Sequence, residues 1–257
     1  WYGLSDPMTE ELIHDRISFR KFLDIKEEDT IPDETTICKF RNALIKNNLL
    51  ESIFKEVKNS MIEKNLILNE GTLVDATLIH SSEPKRKKDE NGKTISNKAN
   101  DEDASYTSKR GRKHHGYKIH IATDTNSIIK EVITTTAKTH DSTQFDELIK
   151  DETKAVFADS GYMSQNRKRE LRAKGIFNGI TERRVRGQSK LRVKQSKNNT
   201  KFSKVRALVE LPFAFIKKLM KYTETKYLGL HKNSQHVFLI AAAYNLRRMP
   251  KLIQRYE

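Results

Sequence analysis

Residues 154–164, KAVFADSGYMS, constrain the chain more than any other stretch, because a short apolar run ends directly on a carboxylate. Ala155 to Ala158 read as the end of a buried strand, bounded by Asp159 and then by Ser160-Gly161. An acid in an apolar setting pays a desolvation cost unless a cation or hydrogen bonds offset it. Two more acids share this character. Asp75 lies inside the strand-like run TLVDATLI, and Glu210 lies between Val209 and Leu211 beside a helical apolar stripe. Taken singly, each has a plain reading as a capping Asp or a partly exposed helix Glu. Brought together they would repel, and a divalent metal removes that repulsion, since carboxylate oxygens are the ligands Mg²⁺ prefers.

The periodicity predicts a mixed α/β chain. Residues 1–68 read as helical: Pro32-Asp33-Glu34 is a helix start, with Ile37, Phe40, Leu44 and Ile45 at helical spacing. Leu49 through Ile62 continue a second amphipathic helix. From Gly71 the period changes to strands. GTLVDATLIHS, GYKIHIATD, SIIKEVITTTA and KAVFAD are predicted strands, the middle pair joined by a turn at Thr125-Asn126-Ser127. SQNRKRELRAKG is a predicted helix closed by Gly175, and IFNGI a short strand. Residues 83–113 hold almost no large apolar side chain and read as a long polar loop. SKVRALVELPFAFIKKLMKY is a predicted helix that Pro212 should disturb just past Glu210, and a last helix is expected over 234–249.

Charge narrows the choice of partner. The net charge is +15, from 49 Lys and Arg against 34 Asp and Glu, and a chain this basic usually meets a polyanion. The segment 183–206 concentrates it, with ten Lys or Arg and no acid, and should be drawn to phosphate. Cys38 is the only cysteine, which excludes a disulfide framework and fits a reducing cytosol. No apolar stretch approaches the roughly 18 residues of a spanning helix, and no signal peptide is visible. His114 and His115 suit phosphate contact or solvent better than metal ligation. His140 and Asp141 read as a turn or as support for a metal site, and Tyr162 as a core residue or a DNA contact. Lys118 and His120 should share one side of their strand, with Lys118 a candidate DNA contact.

These residues resemble insertion-sequence transposases of the DDE type, in the IS-five-like group with a ribonuclease-H-like core. VDAT with Asp75 looks like that family's first acid, and DSGY from Asp159 looks like its second. Arg206, Glu210 and Lys217 match its Tyr-x2-Arg-x3-Glu-x6-Lys signature, except that Ser203 stands in place of Tyr. WYGLSD, RISFRKFLDI, PDETTICKFRNAL and THDSTQF extend the likeness over nearly the whole chain. The resemblance implies a central mixed sheet flanked by helices over residues 69–257, carrying the catalytic site, preceded by a helical DNA-binding and assembly domain over 1–68. It implies Asp75, Asp159 and Glu210 as catalytic residues holding Mg²⁺ or Mn²⁺, two ions in all. Expected DNA contacts are Arg206, Lys217, Lys118, Arg183, Arg184, Arg186, Lys190, Arg192 and Lys194. The implied partners are double-stranded DNA, as terminal inverted repeats and target, and further copies of the chain in a homodimer or larger assembly. Family members usually carry residues before the Trp, so Trp1 is expected to mark an N-terminal truncation. A metal-dependent nuclease of the same fold and a catalytically inactive DNA-binding remnant are the alternatives.

Overall fold

The change of period at Gly71 is where the sheet begins in the computed structural model, which describes residues 2–83, 86–88, 94–96, 101–109, 111–152, 154–184 and 187–256. Four helices come first: α1 (Asp6–Asp15), α2 (Ile17–Leu23), α3 (Glu34–Lys46) and α4 (Leu49–Glu63). Ser5 and Asp33 cap α1 and α3 by accepting the N–H groups of Met8 and Thr36. Phe40, counted toward the buried stripe by its spacing, is 64% exposed on α3.

The strands are β1 (Thr72–His80), β2 (Arg86–Lys88), β3 (Thr94–Ser96), β4 (Ser105–Lys109), β5 (Arg112–Thr123), β6 (Ile129–Thr136), β7 (Ala155–Ala158) and β8 (Phe177–Asn178). In the main sheet β6 lies beside β5, β5 beside β1, β1 beside β7 and β7 beside β8. β1 runs antiparallel to β5 and parallel to β7, and β5 runs antiparallel to β6. Antiparallel pairing on the β5 side of β1 and parallel pairing through β7 to β8 on its other side make this a mixed, ribonuclease-H-like sheet. β4 pairs with the first part of β5, from Ser105 opposite Gly116 to Lys109 opposite Arg112. The segment expected to be one polar loop therefore contains strand. Hydrogen bonding to β5 forms β4 with no apolar face of its own, which hid it from a reading based on hydrophobic periodicity.

Alternation along β1 splits the core into two layers. Leu73 and Ile79 pack on one face with Phe54 of α4 and with Val209, Phe213 and Ile216. Val74 packs on the other with Phe145, Leu148 and Leu171, from α5 (Phe145–Leu148) and α6 (Gln165–Ala173). Leu73 and Val74 are fully buried, each stabilising the fold by about 1.5–3 kcal/mol. A Schellman closure ends α6: Ile176 N–H reaches Leu171 O, Gly175 N–H reaches Arg172 O, and Gly175 has φ +69°.

Past the sheet, α7 (Val193–Arg206) leads into a 3₁₀ turn (Ala207–Val209), α8 (Glu210–Ala214) and a π-helical turn (Phe215–Leu219). A helix disturbed at Pro212 was expected here; the break instead begins before Glu210, at the 3₁₀ turn. The last helix, α9 (Leu230–Tyr256), is longer than the predicted span and packs along α4 and β6. Among the described residues no helix is long and apolar enough to cross a membrane.

Candidate active site

Register sets the first two acids side by side. β1 and β7 pair Leu73 with Phe157 and Val74 with Ala158, so the next step along both strands brings Asp75 level with Asp159. Period-two alternation turns both toward the face that carries Leu73 and Phe157, the face covered by α7 and the turn before α8. The third acid, Glu210, opens α8 and is solvent-exposed.

Asp75 is the buried member. Its side chain is 18% exposed, its Oδ1 accepts the Ala76 N–H at 2.8 Å, and Arg206 Nη1 lies 2.5 Å from its Oδ2. Burial pushes its carboxyl up to about 6, and the charges of Asp159 and Glu210 push the same way, against the Ala76 N–H and Arg206. Asp75 thus senses both of the other acids. Asp159 Oδ1 accepts the Gly161 N–H at 2.7 Å, and a Cβ on Gly161 would fall 2.8 Å from that oxygen. Glycine here leaves the carboxylate room that no other side chain would.

Among the described residues, no group of three or more His, Cys, Asp or Glu side chains is gathered tightly enough to hold an ion. Arg206 supplies the positive charge at Asp75. The donor set itself, three carboxylates with one carboxyl raised by burial and by its neighbours, suits a hard divalent cation with oxygen ligands.

Arg206 pairs with Asp75 and not with Glu210, its i+4 neighbour on the predicted helix, because the 3₁₀ turn separates them. Lys217 sits in the π turn, half-buried, with its ammonium pKa lowered by burial and by Lys109 and raised by Glu210. Lys118 is 14% exposed, donates to Thr139 O at 2.6 Å and pairs with Asp141 at 2.9 Å. It is committed to the protein, and Asp141 is more than a plain turn residue. His120, on the same side of β5, is buried and bonds Thr135 Oγ1 at 2.8 Å. Tyr162 is a core residue, 1% exposed against Phe145. His115 is buried against Tyr106 rather than open to solvent as expected, and the His114 ring lies tilted against His80 at 5.1 Å.

The basic segment is open to solvent. Arg183, Arg184, Lys190, Arg192 and Lys194 are exposed, and Arg186 lies outside the described residues. Arg183 Nε donates to Ser160 Oγ at 3.0 Å, which brings the basic segment next to Asp159. Ser160-Gly161 were expected only to turn the chain away after the strand, without the contacts they make to Arg183 and Asp159, and Asp141 was not expected to pair with Lys118. The first two lie within the DSGY motif itself, whereas the pair is visible only once β5 has folded against the 141–144 turn.

A ribonuclease-H-like sheet with two acids level on adjacent central strands, a third on a following helix and an exposed basic segment beside them defines a nucleic-acid-processing class. The chain belongs to the transposase DDE domain family, whose model matches residues 68–246, well over half of its length. A second model, transposase domain (DUF772), matches residues 1–43. No solved structure matches the chain significantly.

Proposed function

We propose that this transposase cleaves DNA at the ends of its element and joins the freed 3′-hydroxyl to target DNA, with Asp75, Asp159 and Glu210 as catalytic residues. The observation that carries the reading is the register of β1 and β7, which sets Asp75 level with Asp159 on the face that α7 and the 3₁₀ turn before α8 cover. The three carboxylates would hold two Mg²⁺ or Mn²⁺ ions. When bound, such ions lower the pKa of an attacking water or hydroxyl and stabilise the leaving oxygen. Water attacks a phosphodiester and releases a 3′-hydroxyl; that hydroxyl attacks a target phosphodiester in line, and one 3′ oxygen leaves for each bond made. The chain's own part is positional. The middle of β1 and the end of β7 fix two carboxylates, Arg206 supplies a counter-charge to Asp75, and Gly161 orients Asp159 through its N–H. Arg183, Arg184, Lys190, Arg192, Lys194 and Lys217 would hold the phosphate backbone, with the helical residues 1–68 aiding DNA binding and assembly as a homodimer or larger complex.

The test uses duplexes carrying the DNA that flanks this coding sequence, pre-cleaved to expose a 3′-hydroxyl, with supercoiled plasmid as target. Joined products in Mn²⁺, lost in Asp159→Asn, are expected. Cleavage without joined product would point to a nuclease, and equal products from wild type and Asp159→Asn would overturn the site.

A further inference from the structure

We propose that Ser127, at the tip of the β5–β6 turn, is a positioning residue for Glu210. The inference rests on the acid-site reading above and extends it to a residue 81 positions away from the helix break it controls.

The argument begins at Pro212. In an α-helix the N–H of residue 212 would bond the Leu208 carbonyl, and proline has no N–H to give. The Leu208 carbonyl thereby loses its α-helical donor, and in a segment packed against the core its remaining lone pair favours another. Ser127 supplies it: its Oγ donates to Leu208 O at 2.9 Å, and Ser127 is 1% exposed. Leu208 is in the 3₁₀ turn, where the Glu210 N–H points back to the carbonyls of Ala207 and Leu208. The hydroxyl therefore holds the peptide group against which the Glu210 backbone is set, and α8 starts from Glu210.

The donor comes from a fixed origin. Ser127 has φ +61°, a left-handed conformation uncommon for a residue with a side chain. Its N–H bonds Asp124 O at 3.0 Å, and Asp124 accepts Ile128 N–H and Leu68 N–H, each at 2.8 Å. From α9, Arg248 Nη2 donates to Asn126 O at 2.7 Å. A turn tied at so many points delivers one hydroxyl to one carbonyl. Glu210 itself is exposed and gains no such definition from packing.

The test is a double-mutant cycle between Ser127 and Pro212 on the full chain, read by Mn²⁺-dependent nicking of supercoiled plasmid and by Mn²⁺ affinity of the DNA-free protein from electron paramagnetic resonance. Ser127→Ala should slow nicking roughly ten- to a hundredfold, as expected for a reacting group displaced by about an ångström, and weaken Mn²⁺ binding, with plasmid affinity unchanged. Ser127→Gly removes the hydroxyl while accepting positive φ freely, and carries the measurement if the alanine variant folds poorly. Pro212→Ala returns an N–H to Leu208 O, so in that background the loss from Ser127→Gly should shrink to less than about threefold. An equal loss in both backgrounds would reduce Ser127 to a structural role and overturn the proposal. So would wild-type nicking and Mn²⁺ affinity in Ser127→Gly. Glu210→Gln, measured alongside, separates the two readings. If it nicks like the wild type, the acid site and this inference fall together; if it is inactive while Ser127→Gly is unaffected, only the positioning role falls.

Discussion

Arg206 Nη1 stands 2.5 Å from Asp75 Oδ2, across 131 residues of sequence, and brings the last turn of α7 onto the middle of β1. The guanidinium is the resident counter-charge at Asp75. It favours the ionised form of a carboxylate that burial and two neighbouring acids push toward the neutral one. A divalent cation entering the site would take over that task and leave Arg206 free for phosphate.

Arg206→Ala should therefore destabilise the metal-free protein by about 1–3 kcal/mol, since a charge-assisted bond is lost and a buried carboxylate is left without its cation. Mn²⁺ should restore more thermal stability to this variant than it adds to the wild type. Urea unfolding with and without Mn²⁺ measures both. A midpoint indifferent to the substitution would mean the pair contributes nothing.

Gly161→Ala tests how tightly the DSGY turn holds its acid. The added methyl would sit 2.8 Å from Asp159 Oδ1, so the carboxylate or the turn must shift. Plasmid nicking should fall by about tenfold or more, while the melting temperature moves only a few degrees. Nicking at the wild-type rate would show that Asp159 does not need its present position.

The basic residues divide into free and committed ones, and salt dependence separates them. Replacing Arg184, Lys190, Arg192 and Lys194 by Gln should flatten the plot of log DNA affinity against log salt by up to about 0.9 per phosphate contact removed. Lys118→Gln should leave the slope alone, because Lys118 is held by Asp141 and Thr139. The reverse pattern would move the DNA-binding surface to β5.

His236 sets a pH dependence of stability. Burial between Tyr222 and Tyr227 drives its pKa down to about 4, with the charges of Lys226 and Arg41 adding. The unfolded chain takes up this proton first, near the ordinary histidine value. Stability is thus intact above about pH 6.5 and declines as pH falls toward 4, by about 1–2 kcal/mol at pH 5. Asp124 acts in the opposite sense, since burial raises its carboxyl to about 6 and the folded state takes up that proton first. The difference between His236→Phe and wild-type unfolding from pH 7 to 4.5 isolates the histidine. Parallel curves would show that His236 is not held neutral.

What the sequence discloses about this fold is what short-range pattern can carry. β1, β5, β6 and β7 alternate or run apolar over four or more residues, and α6 announces its end at Gly175, so these elements were legible. β4 was not, because Ser105–Lys109 bury no apolar face and Tyr106 is 47% exposed. The acids Asp75 and Asp159 stood out as charges inside apolar runs. The partner of Arg206 did not, since Asp75 lies 131 residues away and the end of α7 meets β1 only in the folded chain. Pro212 advertised a disturbed helix, but the hydroxyl that answers it comes from a turn with no sequence link to it.

The most direct measurement is the anomalous scattering of Mn²⁺ in crystals of the chain bound to DNA. Density among Asp75, Asp159 and Glu210, resolving into two ions about 3.5–4 Å apart with Arg206 displaced from Asp75, is the expected result. Manganese bound elsewhere, or none at these carboxylates while Arg206 keeps its contact with Asp75, would contradict the assignment of the three acids to a metal-dependent site.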